Sequence, residues 1–223
     1  MATLSLVIIN VIIFSSGFIL NSQSQIILEY GFIPNQLFKD IDGNKNNLDV
    51  TGQGISSSLS SALLINISTR LFSSMFIHAS IGHLAFNLLA LIYLGGFAEK
   101  SIGVIRYLII YVFAGMAGAL LHGIVASNIL DNGDIALVGA SGAISGVLGI
   151  AATIGNTRAY YWLILQVVFA VIGSITAIPI AFSAHIGGFV AGAILTKIVV
   201  EIERKKRLKY FNTSEDNYDL WKR

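Results

Sequence analysis

Residues Val138–Gly146, VGASGAISG, begin an apolar segment in the middle of the chain and place a serine among glycines. A short polar loop with Asp131 and Asp134 precedes this stretch, and the apolar run continues to Ile154. Ser141, at the start of an apolar helix, has two interpretations. It is either a small residue that lets membrane helices pack closely, or a nucleophile whose partner lies on another helix. Choosing between them requires the rest of the chain.

The composition is that of a membrane protein. Of the 223 residues, 55% are hydrophobic and only 12% are charged, whereas soluble domains carry about 25% charged residues. The length is enough for several membrane spans but not for a large additional domain. Because the chain has no cysteine, disulfides, thiolate nucleophiles and cysteine-based metal sites are excluded.

Six apolar segments are each close to the length that a helix needs to cross a bilayer core. They are predicted over residues 4–21, 81–98, 103–126, 141–156, 159–176 and 183–200. The first is interpreted as a retained span rather than a cleaved signal peptide. The predicted fold class is an all-α membrane protein, a bundle of six transmembrane helices with a long first loop. Residues 1–200 form the membrane domain, and 201–223 form a basic, then polar tail that we expect to be loosely ordered.

Basic residues orient these spans, because they concentrate on the cytoplasmic side. Lys100, Arg106, Arg158 and a cluster at 204–209 mark the ends that would face the cytoplasm. Both termini are then cytoplasmic, and the first loop is extracytoplasmic. Part of a less polar piece of this loop, at 56–77, is expected to lie in the interface as short amphipathic helices. The basic cluster is interpreted as a cytoplasmic anchor and not as a nucleic-acid site. We expect a cell-membrane protein.

Three polar residues lie at one predicted depth in the membrane. Ser141, His185 and His83 each precede the first cytoplasmic charge of their span by 16 or 17 residues. His185 also precedes Arg204, where the basic cluster begins, by 19 residues. At about 1.5 Å per residue, the three side chains lie roughly 24–28 Å above the inner face of a core about 30 Å thick. Asn87 follows His83 by four residues, so it lies on the same helix face one turn deeper. We therefore expect one polar pocket just below the outer surface.

Each of these residues also has a structural interpretation. Ser141 suits helix packing, His185 suits a buried hydrogen bond, and His83 and Asn87 suit hydrogen bonds between helices. None of these roles requires a shared depth. In the catalytic interpretation, His185 is general base and then general acid, and His83 and Asn87 donate to an oxyanion. A dyad is favoured over a triad, because no acidic residue lies near His185 in the sequence.

Small residues support a close approach of the fourth and sixth spans. They recur at helical spacing at Gly142, Gly146 and Gly149 and at Ala184, Gly188 and Gly192. Such faces let two backbones come close together, as a serine–imidazole hydrogen bond requires.

The remaining polar residues of the apolar segments are interpreted as structural. His78 is a weaker candidate near the outer surface, and His122 is expected to be solvated or interfacial at the end of the third span. Glu99 is expected to cap or pair at the inner edge, and Arg70 to support the first loop. The four histidines lack a His-Glu-x-x-His pattern and nearby carboxylates, so no metal site is predicted.

Three motifs make the sequence resemble the rhomboid family of intramembrane serine proteases over residues 69–192. Residues 139–142, GASG, are similar to the family's Gly-x-Ser-Gly nucleophile motif, and residues 184–188, AHIGG, to its Ala-His-x-x-Gly motif. His78, His83 and Asn87 match a His-x-x-x-x-His-x-x-x-Asn pattern on the second helix. Each motif is short, but all three occur in the family's order on the expected spans.

The resemblance implies a six-helix fold, a Ser141–His185 dyad and an oxyanion site of His83, Asn87 and the Ser141 backbone N–H, without a cofactor. The first loop would be a membrane-embedded hairpin, and the fifth helix with the 175–183 loop a mobile gate. Substrates would be transmembrane helices of other proteins, cut near their outer ends. The supporting residues that the family motifs contribute are Gly139, Gly142, His78 and Gly188.

Two positions depart from the family pattern. Thr69 precedes Arg70 where the family often has Trp-Arg, and Ser145 stands where a tyrosine often stacks on the catalytic histidine. Another residue must then hold His185, or it is held less firmly. Neither departure removes a reacting group, so a protease is predicted. The alternative is a non-catalytic rhomboid-like protein that binds membrane helices; a small transporter is disfavoured, because it would need intramembrane acids or a broken-helix repeat.

Overall fold

The computed structural model describes residues 1–37, 57–130, 132–176 and 181–220, and nearly all of this part is helical. A single turn of 3-10 helix, Ser74–Phe76, follows the third helix, and one antiparallel bridge joins Phe32 to Leu137. The α-helices are α1 Ala2–Ile19, α2 Gln23–Tyr30, α3 Ser57–Ser73, α4 Ile81–Ile102, α5 Val104–Asn128, α6 Ser141–Thr153, α7 Arg158–Thr176 and α8 Phe182–Leu220.

Four helices within the described residues are long and apolar enough to cross a membrane. They are α1, α4, α5 and the Phe182–Tyr210 part of α8. Their outer surfaces carry exposed large apolar side chains such as Ile12, Ile92 and Phe113, as expected for helices in contact with lipid. The chain is therefore an integral membrane protein, and the predicted count of six spans remains a prediction.

Helix α6 lies at the centre of the bundle. It has only 13 residues, and all of Gly142–Ala151 are buried. Small residues make this position possible: a Cβ on Gly188 of α8 would collide with the Gly142 carbonyl, and one on Gly192 with the Gly146 carbonyl. The predicted close packing of these two helices is confirmed. Because residues 142–151 are buried among the other helices, this part of α6 does not need to be long enough to span the membrane to keep its backbone away from lipid.

One end of the bundle gathers the N-terminus of α1, the α4–α5 turn and the charged part of α8. The Glu99 carboxylate accepts hydrogen bonds from the backbone N–H groups of Ala2 and Thr3, both at 2.9 Å, and from the Thr3 hydroxyl at 2.7 Å. It thereby caps α1, as predicted for an acid at this edge, since the first N–H groups of a helix lack intrahelical acceptors. Arg106 at the start of α5 forms an ion pair with Glu203 of α8.

Helix α8 continues well beyond the predicted end of the sixth span. It runs without interruption to Leu220, for 39 residues, so the expectation of a loosely ordered segment from residue 201 was wrong for 201–220. Arg204 and Lys205 pair with Glu201, at 2.9 and 3.9 Å. Pairs at this spacing lie on one helix face and favour continued helix where the apolar residues end.

Arg70 joins α3 to the last turn of α2 and to the residue that follows it. Its Nη1 donates to the carbonyl oxygens of Leu28 at 3.2 Å and Gly31 at 3.0 Å, and the Ser73 hydroxyl donates to the Tyr30 carbonyl at 2.6 Å. The structural role predicted for Arg70 is confirmed. The piece expected as short helices contains one longer helix, α3, and the first-loop residues 38–56 lie outside the described part of the chain.

Candidate active site

Ser141 is the first residue of α6, and the backbone before it is fixed from two sides. The Gly139 N–H donates to the Ser74 carbonyl at 2.9 Å, and the Ala140 N–H points to Nε2 of His78 at 3.5 Å. The first N–H groups of a helix lack intrahelical acceptors and carry the positive end of the helix dipole. Negative charge that develops beside Ser141 is therefore stabilised by the helix itself.

A cavity of about 730 Å³ opens beside Ser141 and extends between α4, α6, α7 and α8. Four residues singled out in the sequence line it together: Ser141, His185, His83 and Asn87. Most of the other lining side chains are apolar, including Phe86, Ile144 and Trp162. The structure thus brings Ser141, His185, His83 and Asn87 to the wall of one open cavity.

His83 and Asn87 are positioned by the start of α4. The Ser80 hydroxyl accepts the His83 backbone N–H at 3.2 Å and caps the helix. One turn on, Asn87 Nδ2 donates to the His83 carbonyl at 2.8 Å. A side-chain amide carries two N–H donors, so Asn87, which lines the cavity, has a second donor besides the one bonded to His83.

His78 lies behind this cavity rather than on its wall. Its side chain is fully buried, and its ring meets the His83 ring edge-on with centroids 5.1 Å apart. Burial, and secondarily the nearby His83, lowers the pKa of His78 to about 3, so the ring is neutral at pH 7. It contacts both the segment before Ser141 and His83 at the start of α4.

His122 contradicts its sequence-based interpretation. It was expected to be solvated or interfacial, but it is only 8% exposed and lines the cavity. Its Nδ1 lies 2.9 Å from the Ser183 hydroxyl on α8. A signal was present: His122 follows Arg106 by 16 residues, the separation that set the depth of the other histidines. The third span is predicted to run from the inner to the outer side, so the depth of His122 is counted forward from Arg106.

Comparison with known proteins places this site in a family. Residues 67–202 match the family model described as the Rhomboid domain, which is more than half of the 223 residues. The chain belongs to the rhomboid family. It is therefore a member of an intramembrane protease family, and the resemblance drawn from the three motifs is confirmed.

Several curated relatives share this domain. RHOMBOID-like protein 1 of Arabidopsis thaliana is 32% identical over 139 residues, covering 56% of this chain and 33% of the relative. Rhomboid protease GluP of Bacillus subtilis is 35% identical over 130 residues, covering 55% and 24%. Rhomboid protease AarA of Providencia stuartii is 28% identical over 161 residues, covering 60% and 57%. The chain thus spans from a quarter to just over half of the length of these relatives.

In this rhomboid, Ser145 stands where the family often has tyrosine, and it contacts α7 instead of the histidine. The Ser145 hydroxyl is directed to Oε1 of Gln166 on α7 at 3.3 Å. The ring beside His185 comes instead from Phe182, whose centroid lies 5.9 Å away at an interplanar angle of 54°. Phe182 was missed in the sequence, although its three-residue separation from His185 places the two on one helix face.

Proposed function

We propose that this rhomboid is an intramembrane serine protease that hydrolyses peptide bonds of transmembrane proteins near the outer membrane face. Ser141 is the nucleophile and His185 its general base. The observation that carries the proposal is the shared cavity, in which Ser141 at a helix start, His185, His83 and Asn87 all line one space. A serine at this place for packing alone would leave three polar partners on the same wall without a function.

The first half of the reaction follows from these groups. His185 accepts the proton of Ser141 Oγ as that oxygen attacks the substrate carbonyl carbon. Negative charge then moves to the carbonyl oxygen, where His83, the second Asn87 N–H and the Ser141 backbone N–H donate to it. The helix start adds a favourable field to that oxyanion.

The second half reverses the proton transfer. His185 gives its proton to the leaving amine, the peptide bond breaks, and the N-terminal part of the substrate remains esterified to Ser141. Water from the outer side then attacks the ester as His185 takes its proton, and His185 returns that proton to Ser141 Oγ as the ester bond breaks and the acid is released. The reaction requires no cofactor, and the substrate helix must unwind locally, which residues of low helix propensity favour.

The placement in the membrane is part of the same proposal. Helices α6 and α7 complete six spans, residues 1–200 form the membrane domain, and both termini lie in the cytoplasm of a cell-membrane protein. The end that contains Arg106 and Glu203 is then the inner one, and the cavity opens toward the outer half of the bilayer. The partners are transmembrane substrates and lipid, with no nucleic acid.

The test is cleavage of a fluorescent single-span substrate by the full chain in liposomes. Ser141→Ala and His185→Ala are each expected to reduce cleavage by a factor of at least about 1,000, as loss of either member of a catalytic pair does. Ser145→Ala is the matched control: it lies one turn along the same helix and is buried, and we expect it to retain most of the activity.

Persistent cleavage in both Ser141→Ala and His185→Ala would disprove the dyad. A wild-type chain that binds single-span helices but cleaves none, and that is not labelled at Ser141 by a fluorophosphonate, would instead support the alternative of a non-catalytic rhomboid-like protein. Both reacting groups are present in this sequence, which favours the protease.

A further inference from the structure

The start of α8 is held to α5 by a hydrogen bond that the proposed reaction does not use. His122 Nδ1 on α5 lies 2.9 Å from the hydroxyl of Ser183, two residues before His185. At the same place the two backbones nearly touch, because a Cβ on Gly118 would collide with the Ala184 carbonyl. The first turn of α8, which carries His185, is thus attached to α5 both by packing and by a polar bond.

His185 itself depends on this attachment. Its Nδ1 is buried and has no hydrogen-bond partner among the described residues, so no carboxylate or carbonyl of that part of the chain orients the ring. Phe182 contacts the ring from the same helical turn and therefore moves with it. The position of the imidazole relative to Ser141 is then set by where the whole first turn of α8 lies.

We propose that His122 is a positioning residue for the Ser141–His185 pair and acts through Ser183. The proposal rests on the proposed function. The His122–Ser183 bond holds the first turn of α8 at the distance from α6 at which His185 can accept the Ser141 proton. His122 need not touch the substrate, although its ring lines the cavity, and its role differs from those of the reacting groups.

The chain offers variants that separate positioning from a direct role in the cavity. His122→Asn places an amide nitrogen near the position of Nδ1 and can keep the bond to Ser183, whereas His122→Gln reaches the position of Nε2 on the cavity side. Ser183→Thr keeps the hydroxyl, and Ser183→Ala removes it without altering His122. A positioning role predicts that His122→Asn and Ser183→Thr retain activity.

Two readouts are measured on the full chain in detergent or liposomes. One is the rate at which a fluorophosphonate labels Ser141, which depends on His185 and does not require substrate entry. The other is whether the loss of activity toward a single-span substrate appears in kcat or in KM. A hydrogen bond contributes about 0.5–1.5 kcal/mol, so Ser183→Ala and His122→Leu should each reduce labelling and kcat by about three- to tenfold, with KM unchanged.

A double-mutant cycle distinguishes the outcomes. If His122 acts through its hydrogen bond to Ser183, the double variant His122→Leu, Ser183→Ala is no slower than either single variant. Additive losses, a loss in KM alone, or rescue by His122→Gln but not by His122→Asn would overturn the positioning role. So would a loss that follows only the folded fraction measured by thermal unfolding. If the wild-type chain neither cleaves nor labels, the proposed function fails and the positioning role falls with it.

Discussion

At the scale of single residues, Gly139 is required for two independent reasons. Its φ is +118°, a left-handed conformation that residues with a Cβ rarely adopt. A Cβ at this position would also lie 2.6 Å from Cε1 and Nε2 of His83. The nucleophile motif predicted a glycine here, but only the structure shows that the glycine makes room for a histidine of the same cavity.

Replacing Gly139 should therefore damage activity more than stability. We expect Gly139→Ala to displace the His83 ring and to reduce cleavage by at least about tenfold, because an oxyanion donor alone contributes a factor of about 100 or more. Backbone strain should reduce the free energy of unfolding by about 1–3 kcal/mol. The measurements are cleavage of a single-span substrate and thermal unfolding.

Gly155→Ala is the control for backbone strain. Gly155 also has a positive φ, +83°, but nothing lies within 4 Å of its Cβ position. This variant should lose stability without losing activity per folded molecule. Equal losses of activity in the two variants would show that strain, and not contact with His83, explains the requirement for glycine.

At the scale of elements, the contact between α6 and α8 is the feature that organises the bundle. The small-residue pattern predicted this pairing, because regular spacing puts glycines on one face of each helix. It did not predict which α8 residue meets which α6 residue. The structure pairs Gly188 with Gly142 and Gly192 with Gly146, and this register determines how far His185 stands from the start of α6.

Adding one methyl group at this contact should separate the two helices. We expect Gly192→Ala to reduce the free energy of unfolding by about 1–3 kcal/mol, as overpacking does, since its Cβ would collide with the Gly146 carbonyl. Gly96→Ala on α4 is the matched helical control, with nothing within 4 Å of its Cβ position. It should be neutral or more stable by up to about 1 kcal/mol.

The check is unfolding of both variants in the same detergent. The sign of the change in the free energy of unfolding is decisive, because helix propensity alone would make both variants more stable than the wild type. A Gly192→Ala variant as stable as Gly96→Ala would contradict the close approach of α6 and α8.

At the scale of the whole molecule, several charged residues gather at one end of the bundle. Glu99 caps α1, Arg106 pairs with Glu203, and Arg158 lies over the Tyr93 ring at 5.6 Å. Arg106 and Arg158 are among the basic residues that the positive-inside rule predicts on one side of the membrane. In the structure, their contacts lie at the same end of the bundle. The long charged part of α8 extends from this end.

The proposed orientation is testable with single cysteines, because the chain has none of its own. Asp134→Cys lies in the α5–α6 loop, and Lys205→Cys lies on α8, where the lysine side chain is 72% exposed. In intact cells, a membrane-impermeant maleimide should label Asp134→Cys at once and Lys205→Cys only after permeabilisation. The opposite pattern would place the termini outside and refute the orientation.

The sequence by itself determined the membrane class and the family resemblance, and it predicted a common depth for Ser141, His185 and His83. These properties depend on hydropathy, motif spacing and the fixed rise of a helix, all of which are local. Counted forward from Arg106, His122 lies at the same predicted depth. Distance along a helix can be read from residue numbers alone.

Only the tertiary structure decided which side chains meet across helices. It placed the ring of Phe182, rather than a ring carried by α6, beside His185, directed Ser145 to Gln166, and joined His122 to Ser183. Each of these contacts depends on how one helix is rotated and shifted against another. That arrangement follows from the packing of all the helices together, because glycine-lined contacts tolerate little change in register, and no single segment contains it.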